Sequence, residues 1–113
     1  MNVTAESYGH AVILNIKGEV TEDAIAAIHE VVEHQLEGKE VIDLVFNLES
    51  VPFVDSAALE YLLDLNEKLA ERLGQVKLAK PDENIRKIME ITRLESTFEV
   101  FDDLSMAVKA VRT

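Results

Sequence analysis

Cysteine is missing from all 113 residues, which excludes a disulfide framework, a thiolate nucleophile and any cysteine-held metal site. A chain without cysteine suits a reducing compartment, and the cytoplasm is the expected location. Glycine and proline are scarce, at four and two residues. The glycines are scattered, and neither G-x-G-x-x-G nor G-x-x-x-x-G-K-S/T can be found, so the common phosphate cradles are absent. No apolar run reaches the roughly 18 residues that a membrane span requires. Glu6 and His10 precede the first hydrophobic stretch, unlike a signal peptide, so the chain is expected to be neither exported nor anchored. Basic residues are few: 11 Lys and Arg stand against 22 Asp and Glu, a formal net charge of -11. That charge repels phosphate backbones and anionic lipid, which argues against nucleic acid or membrane as partner.

What is present is a globular composition, 48% hydrophobic with charge spread throughout. The length fits one domain over residues 1–113, able to bury about two-thirds of the surface its unfolded chain exposes. Ala11 to Lys17 is short, β-branched and bounded by Gly9 and Gly18, and reads as a buried strand. A weaker strand over Val3 to Ser7 pairs with it through a hairpin at Tyr8-Gly9. Ile25, Ile28, Val32 and Leu36 recur at helical spacing, with Thr21 to Asp23 supplying the cap and Gly38 the stop.

Val41 to Leu48 alternates as a central strand, with Ile42, Leu44, Phe46 and Leu48 on one face. From Ser56 to Leu73, Leu59, Leu62, Leu63, Leu69, Ala70 and Leu73 form an apolar stripe that Gly74 closes. Val76 to Ala79 is a short strand. Pro81-Asp82 opens a helix carrying Ile85, Ile88 and Met89, Phe98 to Phe101 is a last strand, and Asp102-Asp103 caps a helix bearing Leu104, Ala107, Val108 and Val111. The order β-β-α-β-α-β-α-β-α predicts an α/β fold: a mixed, mostly parallel sheet of about five strands with four helices.

Few residues are arranged for catalysis. No two of His10, His29 and His34 stand at the i, i+4 spacing that aims two imidazoles at one metal, and no metal or cofactor is implied. His29 and His34 lie among Glu30, Glu33 and Glu37 on a solvated face. Ser56 is not in a G-x-S-x-G elbow, and a hydrolase triad would need a histidine brought to it by folding. On the second helix Glu60 with Asp64 and Glu67 with Glu71 are solvent-facing pairs, partly offset by Asp64 with Lys68.

The segment VPFVDSAAL, Val51 to Leu59, stands apart, because two polar residues end an apolar stretch and begin the leucine-rich helix. Asp55 or Ser56 as a helix N-cap, worth about 1 kcal/mol, explains it in the blandest way. The alternative is a site: a hydroxyl at the C-terminal end of a parallel strand, where open α/β sheets place their sites. A phosphate there would add roughly -1.5 to -2 charges at a helix N-terminus, which tolerates an anion. Phe53 and Leu59 flank it and are expected to pack in the core.

The Gly18-Glu19-Val20 turn, the VIDLVFNLESVPFVDSAAL segment and the order of elements after it resemble the STAS domains of bacterial anti-sigma factor antagonists, over nearly the whole chain. The resemblance implies that Ser56, after the motif aspartate Asp55, is a phosphorylation site. It implies a partner switch that binds an anti-sigma factor, itself a serine protein kinase, when unphosphorylated, and that a serine phosphatase resets. The chain would be a substrate and not an enzyme. The implied partner surface comprises Gly18, Glu19, Thr21, Asp55, Ser56, Ala57 and Leu59. A constitutive scaffold subunit, in a stress-signalling or lipid-transport assembly, is the alternative role, and a hydrolase using Ser56 a third.

Family members commonly read G-E-L-D and D-S-S/T-G-L. Here Thr21 replaces the acidic residue, with Glu22 and Asp23 adjacent, and Ala58 replaces the glycine, removing a spot where a partner backbone would approach.

Overall fold

The computed structural model describes residues 2–37, 40–41 and 43–111. Two predicted features, the Gly38 helix stop and the Ile42 face assignment, lie outside them. The chain runs β1 (Asn2–Tyr8), β2 (Ala11–Lys17), α1 (Glu22–Leu36), β3 (Asp43–Ser50), α2 (Ser56–Ala70), β4 (Val76–Ala79), α3 (Glu83–Ile91), β5 (Glu99–Phe101) and α4 (Leu104–Lys109). The five strands lie in sequence order in one sheet, β1 antiparallel to β2 and every later neighbour parallel. This is the predicted mixed α/β sheet with four helices.

Strand alternation sorts the core into two layers. Leu44, Phe46 and Leu48 of β3 join Val12, Leu14 and Ile16 of β2 beneath α1, α2 and α3. Ala11, Ile13, Val45 and Ala79 point the other way, toward Ala107 and Val111 in and after α4. Burying one such aliphatic side chain is worth about 1.5–3 kcal/mol, so this double layer is the main source of stability.

Several boundaries differ from the sequence reading. The hairpin turn is Gly9-His10 and not Tyr8-Gly9, since Tyr8 pairs with Ala11 and Gly9 takes a φ of 58°, where a side chain would be disfavoured. On α1 the buried stripe is Ala24, Ile28, Val32 and Leu36; Ile25 stands beside it, only part-buried, facing α2. Val41 precedes β3 and packs in the core under α1 to α3. Phe98 is buried but closes a turn onto the Leu94 carbonyl before β5 begins.

Helix α2 ends at Ala70, three residues early, which leaves Ala70 and Leu73 exposed and Leu65 in the stripe instead. The left-handed residue at this end is Leu73, at φ 64°, and not Gly74, whose N–H reaches back to the Leu69 carbonyl at 2.9 Å. A left-handed conformation costs a Cβ-bearing residue about 1–2 kcal/mol, and asparagine relieves part of it. Because Leu73 is 83% exposed and little packing is lost, Leu73→Asn is expected to raise stability by about 0.5–1 kcal/mol in urea unfolding. A loss of stability would show that the exposed leucine matters to the fold.

The α4 side of the sheet holds a buried cation that the sequence did not advertise. Lys77 of β4 is 1% exposed; its Nζ donates to Glu99 Oε1 at 3.0 Å and lies 6.0 Å from the Phe101 ring centroid. The Lys77 hydrogen bond holds the Glu99 carboxyl below its ordinary range, against the opposing effect of burial, and Gln75 adds a second donor. A carboxylate with a lowered folded-state pKa stabilises above its unfolded pKa, and this contribution fades as pH falls through the folded value. Glu99→Gln strands the buried ammonium. With the Glu99 side chain 48% exposed, solvent screening limits the expected cost to about 1–2 kcal/mol. Lys77→Met removes the charge with its partner need and is expected to be near neutral. Unfolding titrations of both variants at pH 7 and pH 3 check this, since the Glu99→Gln deficit must shrink at the lower pH.

Candidate functional site

At the C-terminal ends of β2 and β3 the loops leading into α1 and α2 are stapled together. Gly18, at φ 111°, turns the chain off β2 in a conformation that favours glycine, and its N–H donates to the Ser50 carbonyl at 3.0 Å. Val20 N–H then donates to the Phe53 carbonyl at 2.9 Å, Asp55 N–H returns a bond to the Val20 carbonyl at 3.2 Å, and Val20 and Val54 form a parallel bridge. Val20, Val51 and Val54 are buried beneath, so the loops sit on the core as one rigid corner.

Asp55 locks this corner. Its Oδ1 accepts from Ala58 N–H at 2.9 Å, capping α2, and its Oδ2 accepts from Glu22 N–H at 2.9 Å, capping α1. One carboxylate thus satisfies unpaired N–H groups of two helices and places a negative charge at two positive helix ends. Thr21 occupies the N-cap position of α1 with no side-chain capping bond, so the cap predicted there comes from across the corner.

The sequence left open whether Asp55 or Ser56 caps α2, and the geometry decides it. Asp55 is the cap, and Ser56 is the first helical residue. Ser56 is exposed, and its hydroxyl makes no hydrogen bond among the described residues. Of the other predicted surface residues, Glu19 is exposed while Gly18, Thr21, Asp55 and Ala57 are part-buried around it.

Leu59 is in the core at 5% exposure, so it can support this surface but not present itself to a partner. Ala58 is 1% exposed and faces the core, so its methyl group does not alter the outer surface as the sequence suggested. Phe53 reverses the expectation of core packing: it is 41% exposed, because Val51 and Val54 take the inward positions of its loop.

Two of the three histidines are engaged elsewhere. His29 Nδ1 lies 3.3 Å from the Tyr61 hydroxyl, and His10 Nδ1 lies 3.1 Å from the Glu40 carbonyl oxygen. His29 is exposed on its polar face as expected, and there it also reaches across from α1 to α2. Lys68 also crosses to α1, donating to Glu33 at 2.8 Å and not to Asp64 as the sequence spacing suggested. Burial, then the nearby Glu33 charge, pushes the Tyr61 phenol up to about 12, so it stays a neutral hydroxyl. Among the described residues no group of three or more His, Asp or Glu side chains is placed to hold a metal ion, and no helix is long and apolar enough to cross a membrane.

A single mixed sheet with three helices on one face and one on the other, carrying an exposed serine directly after a capping aspartate, defines a small α/β domain. The profile of the STAS domain family matches residues 2–107, and the chain belongs to that family. Among solved structures, an anti-sigma factor antagonist from Mycobacterium paratuberculosis is 23% identical, with a TM-score of 0.85 over 99% of this chain and 94% of its own. The anti-sigma factor antagonist SpoIIAA in its unphosphorylated form is 19% identical, with a TM-score of 0.82 over 99% of this chain and 100% of its own. The Bacillus cell fate determinant SpoIIAA in its phosphorylated form is 20% identical, with a TM-score of 0.76 over 98% of this chain and 100% of its own. At these identities the likeness is one of fold. No curated protein sequence matches the chain.

Proposed function

We propose that this protein is an anti-sigma factor antagonist that works as a phosphorylation-controlled partner switch, with Ser56 as the phosphoacceptor. The observation that carries the reading is the division of labour between Asp55 and Ser56. Asp55 does all the capping at this corner, so the Ser56 hydroxyl is free for chemistry that does not disturb the fold. The fold shared with SpoIIAA, solved in phosphorylated and unphosphorylated forms, supports the same reading.

In the unphosphorylated state the corner of exposed Glu19, Phe53 and Ser56, with part-buried Thr21 and Ala57 between them, meets an anti-sigma factor that is also the serine kinase. Phe53 supplies the apolar anchor, and the hydroxyl lies at the interface centre. A phosphate there brings charge that the partner must desolvate, next to the Asp55 carboxylate. Burying a charge without a partner costs several kcal/mol, and each 1.4 kcal/mol is tenfold in affinity. A phosphatase restores the hydroxyl. The protein is the substrate of both enzymes, and the cytoplasm is where such partners would meet it.

Incubation with ATP and the cognate kinase tests this: intact mass should show one added phosphate on the wild type and none on Ser56→Ala. A wild type that binds the kinase but never gains phosphate would leave a constitutive scaffold role in its place.

A further inference from the structure

Between α1 and α2, on the side away from the sheet, runs an open groove of about 570 Å³, within the size range of ligand and peptide sites. Its floor is apolar, formed by Ile25, Ala26, Leu65 and the ring of Tyr61. Its walls carry Glu22, Glu33 and Asp64 against Lys68 and His29. Lys68 is already bound to Glu33 at 2.8 Å, and His29 is held edge-on to the Tyr61 ring with centroids 5.8 Å apart. Glu22 and Asp64 carry no ion pair among the described residues, so the unspent charge of the groove is negative. From Glu22 to Glu33 the α1 wall is about 16 Å long, room for roughly three turns of a helix.

The groove is continuous with the corner described above. Glu22, at its mouth, is the residue whose backbone N–H is held by Asp55, the neighbour of Ser56. A protein seated over Ser56 that extends along α1 would enter it.

We propose that this groove docks a basic amphipathic helix of the protein partner, its apolar face on Ile25, Ala26, Leu65 and Tyr61 and its cationic flanks against Glu22 and Asp64. Resting on the switch reading for the partner's identity, it adds a second contact area that does not include the Ser56 hydroxyl. Grooves between two helices commonly take a third helix through apolar anchors at i, i+3, i+4 and i+7, and the opposed charges fix its orientation. The groove contribution survives phosphorylation, so a phosphorylated protein would stay loosely held near its kinase instead of being fully released.

The test is a titration of the isotope-labelled chain, followed by amide NMR shifts, with an acetylated Leu/Lys helix of about four turns. A scrambled peptide of the same composition and a Leu/Glu version serve as comparisons. The Leu/Lys helix is expected to shift the amides of Ile25, Ala26, Tyr61 and Leu65, and to bind at least about tenfold tighter than the scrambled peptide, with no binding of the Leu/Glu version. Ala26→Arg, at an exposed helix position compatible with folding, and Asp64→Lys should each abolish those shifts. Ser56→Asp should retain them, which separates this site from the switch: peptide binding without any Ser56 phosphorylation keeps the groove and removes the switch. Equal binding by the scrambled peptide, shifts outside the groove, or no binding would each overturn the proposal.

Discussion

Asp55→Ala is expected to lower unfolding stability by about 2–3 kcal/mol, more than any other surface-side substitution at the corner. The side chain makes two hydrogen bonds of 2.9 Å, to Glu22 and Ala58 N–H groups that open different helices. A single lost cap typically costs about 1 kcal/mol, and bonds to a charged acceptor run somewhat higher. For a domain of this size the sum corresponds to a fall in melting midpoint on the order of 10 °C. Asp55→Asn separates the two bonds. The amide oxygen can serve one helix, but its NH2 group faces the other N–H as donor against donor, so about half or more of the effect should remain. A Asp55→Ala loss below about 0.5 kcal/mol in urea unfolding would show that the corner is held by its backbone bonds alone.

The second large effect concerns binding. Ser56→Asp is expected to weaken the complex with the cognate kinase by at least about tenfold, while its melting midpoint stays close to that of the wild type. The added carboxylate sits at the first position of α2, where the helix end tolerates negative charge, and in water when the partner is absent. Ser56→Ala should keep both binding and stability, with a change within about 0.5 kcal/mol, because the hydroxyl makes no bond among the described residues. If Ser56→Ala instead cost a full capping increment, Ser56 would be structural. Phe53→Ala, at a 41% exposed position, should weaken binding without loosening the core.

The element order, the mixed sheet and most helix faces were legible because hydrophobic period is local. Strand β2 was read with the bounds it has in the structure, and of the Asp102-Asp103 cap Asp103 acts where predicted, accepting from Met106 N–H. Asp82, read only as part of a helix opening, proves to be the cap of α3. What escaped the sequence depends on residues far apart in the chain. The Asp55 bond to Glu22 spans 33 positions and the Lys68 bond to Glu33 spans 35, and no short-range pattern encodes either. Thr21 looked like a cap because its local spacing is right, yet a carboxylate from the next loop was better placed. Lys77 sits in a four-residue strand, VKLA, whose composition gives no hint that the ammonium is buried beside Glu99 and Phe101. Phe53 looked like core for its ring alone, whereas the valines on either side of Pro52-Phe53 fill the inward positions.

A phosphate on Ser56 is expected to turn binding off while leaving the domain folded. Calorimetric titration of the cognate kinase with the unphosphorylated chain, and with the same chain phosphorylated at Ser56, measures it directly. Affinity should fall by at least about a hundredfold on phosphorylation, with residual binding through the α1/α2 groove and an unchanged amide spectrum for the core. Equal affinity of the two forms, or a phosphorylated chain that has lost its folded spectrum, would rule out the phosphorylation switch.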